Sequence, residues 1–427
     1  MGRFGPIPWS SLPNRSGAAT GGGTLEGVRH GLRHIALALS LLSVGPVTAS
    51  GAIDVLSPDP RVQGAVLAAP AIYRVEARYE VRGVRVGRQR ILLPPAGRRI
   101  TEVGTAFGVS NRGHLISVAH VAAPDAGTLA RAVGSLALAQ RGQSDATSAY
   151  VRDWVALNDV RAFGVRRISL TVAAAMPDPG SPRAEYPATV VPGGRAAGDD
   201  LVMLKIDGTG TPALSLDTSM TVGTPVATIG FGSQTPTTTL NLPPIPTVRV
   251  GVLGRTGTVA DEPGSRYTVV STRVETGDSG GPAVDADGRV HGVVRWLSRR
   301  DGGYLIRASR VDALTRRVLG RDPGPPGPAQ SDFQRGMRLA WSGHLDAAMT
   351  ALDAAERRDP GHSLAGPVLE RLTRMRAAGL HATSPDWRRS LWFAVSALSA
   401  LGAAWCAWAL LRSAPRSGPV AERRLDH

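Results

Sequence analysis

From residue 71 to residue 315 the chain keeps interrupting its own pattern: short apolar–polar alternations are cut repeatedly by Gly, Pro, Asn or Asp. "AIYRVEARYEVRGVRV" alternates, "GTAFGVSNRGHLISVAHV" reads as two strands about a turn at Asn111–Gly113, and "RVHGVVRWLS" is another strand. Alternation places every second side chain on one face, which is the signature of a half-buried strand. No helix of convincing length intervenes before "RVDALTRRVLG" near residue 310. A looser Ala-rich stretch, 122–165, has room for a short helix or an inserted loop. Many short strands with dense turns must bury their apolar faces against one another, so the expected class is all-β, a sandwich or a barrel. With 42% hydrophobic and 19% charged residues, the chain has enough apolar mass for a packed core.

Within this region "RVETGDSGGPAVDADGRVHGVV", residues 273–294, sets Ser279 among glycines with Asp278 directly before it. Serine is a poor nucleophile until a base takes its proton. Histidine is the usual base because it titrates near neutral pH. Of the nine histidines, His120 ends the strand "SVAHV" with small residues beside it. His114 follows the turn and is expected at the surface, and His291, on the strand after the serine, is expected to face solvent. The base in turn needs a carboxylate to hold its tautomer and stabilise the imidazolium. In "GDDLVMLKID" Asp200 immediately precedes an apolar strand, with Asp199 as its competitor. The order is then His120, Asp200, Ser279, with separations of 80 and 79 residues.

Residues 71–315 resemble the trypsin-like serine proteases, including the bacterial secreted and HtrA-type branches. The resemblance is carried by "GTAFGVSNRGHLISVAHV", "GDDLVMLKID" and "TGDSGGP". Ala106 and Val118 depart from residues common at their positions, no PDZ-like segment follows, and no Ile-Val-Gly-Gly start is present. The resemblance implies two six-stranded antiparallel β-barrels with His120, Asp200 and Ser279 in the cleft between them. It implies an oxyanion hole from the N–H groups of Gly277 and Ser279. It places Arg273 near the base of the primary specificity pocket, where it would favour acidic side chains unless insertions turn it to water. It makes Val294, Arg295 and Trp296 candidates for binding an extended substrate backbone, with Leu297 narrowing the pocket. Protein or peptide is the expected substrate, and neither a cofactor nor a metal is expected. Asp278, lacking a new amino terminus to pair with, needs an internal cation, for which Arg249 and Arg255 are the candidates.

Outside the catalytic region the sequence changes character. Residues 1–52 read as an amino-terminal extension and secretory signal peptide: "RHIALALSLLSVGPVTASGA" has a basic flank, a short apolar run and small residues for cleavage. The protease-like domain is expected over 53–320, followed by the Pro/Gly-rich linker "RDPGPPGPAQ", 321–330. Apolar residues then recur at helical spacing over 331–380, with Gly343 as a break and Asp359–Pro360 as a stop. This resembles one tetratricopeptide repeat, a helix–turn–helix unit of about 34 residues that needs a neighbour to cover its face. A protein partner at this repeat is one such neighbour. A transmembrane helix is expected over 390–411, where "LWFAVSALSALGAAWCAWALL" is 21 residues without a charge. A basic tail, 412–427, is expected on the cytoplasmic side. Cys406, the only cysteine, falls inside that apolar run and excludes an intrachain disulfide. The net charge of +15 comes almost wholly from arginine, with Lys205 the single lysine. No basic cluster with interleaved aromatics accompanies it, so nucleic acid is not an expected partner, whereas an anionic lipid surface is. The expected whole is a serine endopeptidase held on a bacterial cell membrane with its catalytic domain outside the cytoplasm. The alternative is a weakly catalytic protease-fold scaffold that recruits partners through its helical repeat.

Overall fold

A computed structural model describes residues 55–175, 185–196, 198–208, 210–232, 245–259, 262–298, 302–320 and 326–379. The expected signal segment, the apolar run 391–411 and the basic tail lie outside the described residues. Among the described residues no helix is long and apolar enough to cross a membrane.

The first barrel grows from one long strand. β1 (Ile72–Val86) buries Val75, Ala77, Tyr79 and Val81 and turns Arg78 and Arg82 outward. On one edge it pairs with β3 (Arg99–Ser110) over residues 72–80 and with the short β2 (Gln89–Leu92) over 83–86. On its other edge it pairs with β5 (Arg161–Ala174). β4 (His114–Val118), β6 (Glu185–Ala196) and β7 (Leu201–Ile206) complete the circuit β1-β3-β4-β7-β6-β5, which closes back on β1. Closure leaves this circuit no free edge and lets one face of every strand fill the interior. Leu201, Val202, Met203 and Leu204 are all fully buried, so both faces of β7 are covered.

The second barrel is the closed circuit of β8 (Pro225–Gly230), β9 (Thr247–Val259), β10 (Glu262–Val270), β11 (Pro282–Val284), β12 (Val290–Ser298) and β13 (Gly302–Arg307), in the order β10-β13-β12-β11-β8-β9. Two antiparallel six-stranded barrels are thus present, as the resemblance implies. β12 carries an irregularity between Val294 and Trp296, where its register against β13 shifts.

Helices decorate the barrels. α1 (Pro60–Ala68) is capped by Asp59 and lies so close to the second barrel that a Cβ on Gly64 would fall 1.8 Å from the carbonyl oxygen of Asp285. α2 (Ala119–Ala122) is a single turn at the end of β4. The stretch 122–165 holds two helices rather than one short one: α3 (Ala126–Ala139), capped by Asp125, and α4 (Ser148–Leu157), capped by Thr147. Each cap side chain accepts from the backbone N–H three residues on, which satisfies a donor the helix itself leaves free. α5 (Ala308–Leu319) follows β13 and ends at Gly320 in the left-handed conformation.

The carboxy-terminal described segment is α6 (Pro328–Trp341), α7 (Leu345–Arg358) and α8 (Ala365–Ala377). The break expected at Gly343 is a turn with φ +84. Phe333, Met337, Leu352 and Leu372 are fully buried in a core shared with Val55, Val66 and Leu67. The helix pair therefore covers its apolar face with α8 and α1, within the same chain. Polar bonds fix the docking: Gln330 Nε2 donates to the Leu67 carbonyl at 2.7 Å and Trp341 Nε1 to the Val55 carbonyl at 2.9 Å. His362 donates through Nε2 to Gln330 Oε1 at 3.0 Å, and burial pushes its pKa down to about 4, so the ring stays neutral in this contact. Removing the aromatic ring at the centre of this core leaves a cavity that rigid helices only partly fill. Phe333→Ala is expected to cost about 3–5 kcal/mol, read as a drop in the denaturant midpoint, with increased proteolysis of the docked helices.

Candidate active site

Two of the predicted side chains, His120 and Asp200, touch in the first barrel, and Ser279 of the second is linked to them through Arg295. His120 sits in α2, where β4 has just left the first barrel. Asp200 stands one residue before β7 of the same barrel. Ser279 belongs to the turn that enters β11 of the second. His120 Nδ1 lies 2.7 Å from Asp200 Oδ2, and the His120 backbone N–H donates to Asp200 Oδ1 at 2.9 Å. The Asp200 carbonyl accepts from the Ala119 N–H at 2.7 Å. These bonds hold Asp200 at φ +54, a left-handed conformation that costs a residue with a Cβ about 1–3 kcal/mol. Asp199, the competitor, instead lies 3.6 Å from Arg310 and takes no part. Burial raises the Asp200 pKa, but the bond to His120 and the charges of His120 and Arg295 outweigh it, so the group ends below its ordinary value and ionised.

The serine turn is built on glycine conformations. Gly277 has φ +100 and Gly280 φ +92. A Cβ at Gly277 would fall 2.1 Å from the Phe231 carbonyl oxygen, so no side chain fits there. Neither the Gly277 nor the Ser279 N–H has an acceptor among the described residues, which leaves both available to a developing oxyanion. Thr105, which the sequence patterns do not flag, ties the turn to the first barrel. Its hydroxyl donates to the Gly277 carbonyl at 2.8 Å and accepts from the Phe231 N–H at 3.1 Å, and its N–H donates to the Ser279 carbonyl at 2.8 Å. A threonine in a strand gives no spacing signal; only the contact across the cleft reveals it.

Ser279 Oγ donates to the Arg295 carbonyl at 2.9 Å. Its one proton is therefore directed away from His120, and no hydrogen bond joins Ser279 to His120 among the described residues. The Arg295 side chain reaches the other way: its Nε lies 3.0 Å from Asp200 Oδ2. Arg295 thus links Ser279 and Asp200, and its carbonyl, expected to meet an extended substrate backbone, here accepts from the Ser279 hydroxyl. Val294 also departs from expectation. Its N–H donates to the Gly281 carbonyl and its carbonyl accepts from the Gly280 N–H, so its polar backbone braces the serine turn instead of facing a substrate. The backbone of Trp296 pairs with Tyr304, and Arg273 is exposed.

Beneath the turn Asp278 is 2% exposed and pairs with Arg249, whose Nη1 lies 2.7 Å from Oδ2. Arg255, the other candidate, is exposed. Glu275 lies against the same guanidinium at 3.1 Å, and its N–H donates to Asp278 Oδ2 at 2.8 Å. Burial pushes the Asp278 carboxyl up to about 6, outweighing Arg249 and the backbone donors, with the Glu275 charge adding to the rise.

His291 is buried, not solvent-facing: its Nε2 lies 3.2 Å from Asp285 Oδ2 and 4.0 Å from Asp217 Oδ2. These are residue types that ligate metals, and their candidate ligand atoms lie within 4.8 Å of one another. The His291–Asp285 contact already accounts for the grouping, and it raises the imidazole pKa against the opposing effect of burial. His114 is half-buried and its Nδ1 lies 2.7 Å from the Ser110 hydroxyl.

Residues 104–293 match the family model described as the trypsin-like peptidase domain. That span contains His120, Asp200 and Ser279. No curated protein matches the chain significantly. Among solved structures, the HtrA-type protease AlgW with a decapeptide is 18% identical over 61% of this chain and 68% of its own, with a TM-score of 0.39. The serine endoprotease from Yersinia pestis is 18% identical over 62% of this chain and 68% of its own, with a TM-score of 0.37. Rv3671c from M. tuberculosis H37Rv, in an inactive form, is 18% identical over 63% of this chain and 98% of its own, with a TM-score of 0.36.

The sign of the Asp278 titration leads to a prediction. Its folded pKa of about 6 lies above the ordinary 3.8, so between these values the folded chain holds a proton that the unfolded chain has released. Stability from this group is present at low pH and falls as pH rises through about 6. Asp278→Asn removes the titration. The stability difference, wild type minus variant, is expected to turn against the wild type between about pH 4 and 6, measured by urea unfolding at half-unit steps.

Proposed function

We propose that this chain is a membrane-anchored serine endopeptidase that cleaves protein or peptide substrates through an acyl-enzyme. The observation that carries the reading is the 2.7 Å contact of His120 Nδ1 with Asp200, in a cleft whose other wall presents Ser279 on a glycine turn. In the reaction Ser279 Oγ leaves the Arg295 carbonyl and turns to His120 Nε2. His120 takes its proton as Oγ attacks the scissile carbonyl carbon, and Asp200 holds the imidazolium. The N–H groups of Gly277 and Ser279 meet the oxyanion. Collapse of the tetrahedral species breaks the C–N bond, and His120 returns the proton to the leaving amine. Water then enters by the same base to release the acid. Arg273, exposed near the mouth of the serine turn, is the group we assign to acidic side chains of the substrate.

The alternative is a protease-fold scaffold with little turnover. It is favoured by one observation: the serine proton is already directed to Arg295. Hydrolysis of a proteome-derived peptide library separates the two readings. Wild type should cleave, and Ser279→Ala or His120→Ala should lower kcat/KM by several powers of ten. Asp200→Asn should be similarly severe because it favours the wrong imidazole tautomer. Cleavage undiminished in Ser279→Ala would refute the peptidase assignment.

We assign the anchor to residues 391–411 and the helices after residue 326 to a tetratricopeptide-like unit, on the spacing of their apolar and small residues. An exported domain ahead of the anchor leaves the basic tail in the cytoplasm. A reporter fused after residue 427 should be active on the cytoplasmic side, and one inserted at 321–327, ahead of α6, on the exported side. Both reporters on one side would exclude this topology.

A further inference from the structure

We propose that Arg295 is a positioning residue that sets the working pH of the His120–Asp200 pair. The inference rests on the peptidase reading. Asp200 Oδ2 receives two donors, His120 Nδ1 at 2.7 Å and Arg295 Nε at 3.0 Å. The Arg295 side chain is only 12% exposed, so solvent screens this contact weakly. It is also fixed from behind: its guanidinium carbon lies 5.0 Å from the centre of the Tyr267 ring, and Tyr267 is itself buried. The irregularity in β12 falls between Val294 and Trp296, so Arg295 occupies the residue at which the strand leaves its register. A bulge re-aims a side chain, and this one carries a guanidinium onto the catalytic carboxylate.

A cation shared with His120 on one carboxylate oxygen changes the chemistry. A carboxylate beside an imidazole favours the imidazolium over the neutral ring. Arg295 offsets part of the carboxylate charge. The other charged group acting on His120 is Glu102 of β3, whose own pKa burial raises and His120 lowers. Arg295 is therefore the cation in a set of two acids and one base. With it in place, Ser279 is able to react at lower pH. Asp200 itself remains ionised through the same contact, because it is held below its ordinary pKa.

The test is the second-order rate of labelling of the full-length protein by an alkyl fluorophosphonate from pH 5 to 9. In that step Ser279 Oγ forms a bond to phosphorus, fluoride leaves, and the serine proton passes to His120, so the acidic limb reports the base. Arg295→Gln keeps a donor to Asp200 but no charge, and Arg295→Ser removes both with the least demand on packing. Either is expected to move the acidic limb to higher pH by roughly one unit, about a tenfold loss at the acid end that fades toward high pH. Arg295→Lys, retaining the charge, should restore the limb to near its wild-type position. If Arg295 merely braces β12, both neutral variants label more slowly at every pH with the limb unmoved, and the inference is overturned. If the folded wild type does not label at any pH, the peptidase reading itself fails and this inference falls with it. Circular dichroism at each pH separates loss of fold from loss of reactivity.

Discussion

The two barrels each close on themselves, so neither needs the other to satisfy its strands. What the site needs is their spacing, and Thr105 is where that spacing is set. One residue of β3 bonds the Gly277 carbonyl, the Phe231 N–H and the Ser279 carbonyl across the cleft. Backbone groups of the serine turn that would otherwise be buried without partners are thereby satisfied. Ser117 extends the tie, donating from its hydroxyl to the Thr105 carbonyl at 2.8 Å. Gly104 permits the approach: a Cβ there would fall 2.8 Å from Val121 and 2.9 Å from the Ser279 carbonyl. The turn that carries Ser279 is hence anchored to β3. The placement of the serine turn against β3 follows from these bonds between the barrels.

Charge completes what hydrogen bonds begin. Two carboxylates, the half-buried Asp200 and the buried Asp278, flank the serine turn, and each is met by an arginine from the second barrel: Asp200 by Arg295 and Asp278 by Arg249. Their outcomes differ. Asp200 also has the His120 ring and one backbone donor to its carboxylate, the His120 N–H, and is held below its ordinary pKa. Asp278 is more deeply enclosed, shares its arginine with Glu275, and has one oxygen without a partner among the described residues. Its carboxyl is consequently the one that burial drives upward. Two pairs of similar composition thus end on opposite sides of the ordinary carboxylate range, for reasons of enclosure and donor count.

Much of this was legible in the sequence because its signals are local. Alternation in "IYRVEARYEV" sets the face of β1, and the glycines around Ser279 announce backbone angles that no other residue adopts at low cost. The assignment of Asp200 over Asp199 rested on which residue abuts the strand, and the cleft places Asp200 on His120. What escaped the sequence depends on contacts between distant segments. Thr105, the inward turn of Arg295 and the burial of His291 are consequences of barrel closure, which no window of neighbouring residues reports. The Ala-rich stretch was ambiguous for a different reason. Alanine is a good helix former but carries little apolar contrast, so the periodicity of α3 and α4 was faint where their propensity was strong.

The helices after residue 326 constrain the site's surroundings more than its chemistry. They dock on α1, and α1 rests against the second barrel at Gly64. α8 ends at Ala377, and the proposed anchor begins at residue 391. Residues 378–390 number 13, and a fully extended chain of that length reaches no more than about 45 Å. Docking of the helices on α1 transmits that limit to the barrels, because the unit does not swing on the 321–330 linker while its core with Val66 and Leu67 is intact. Under the proposed anchor, the barrels would stay within a shallow layer above the bilayer.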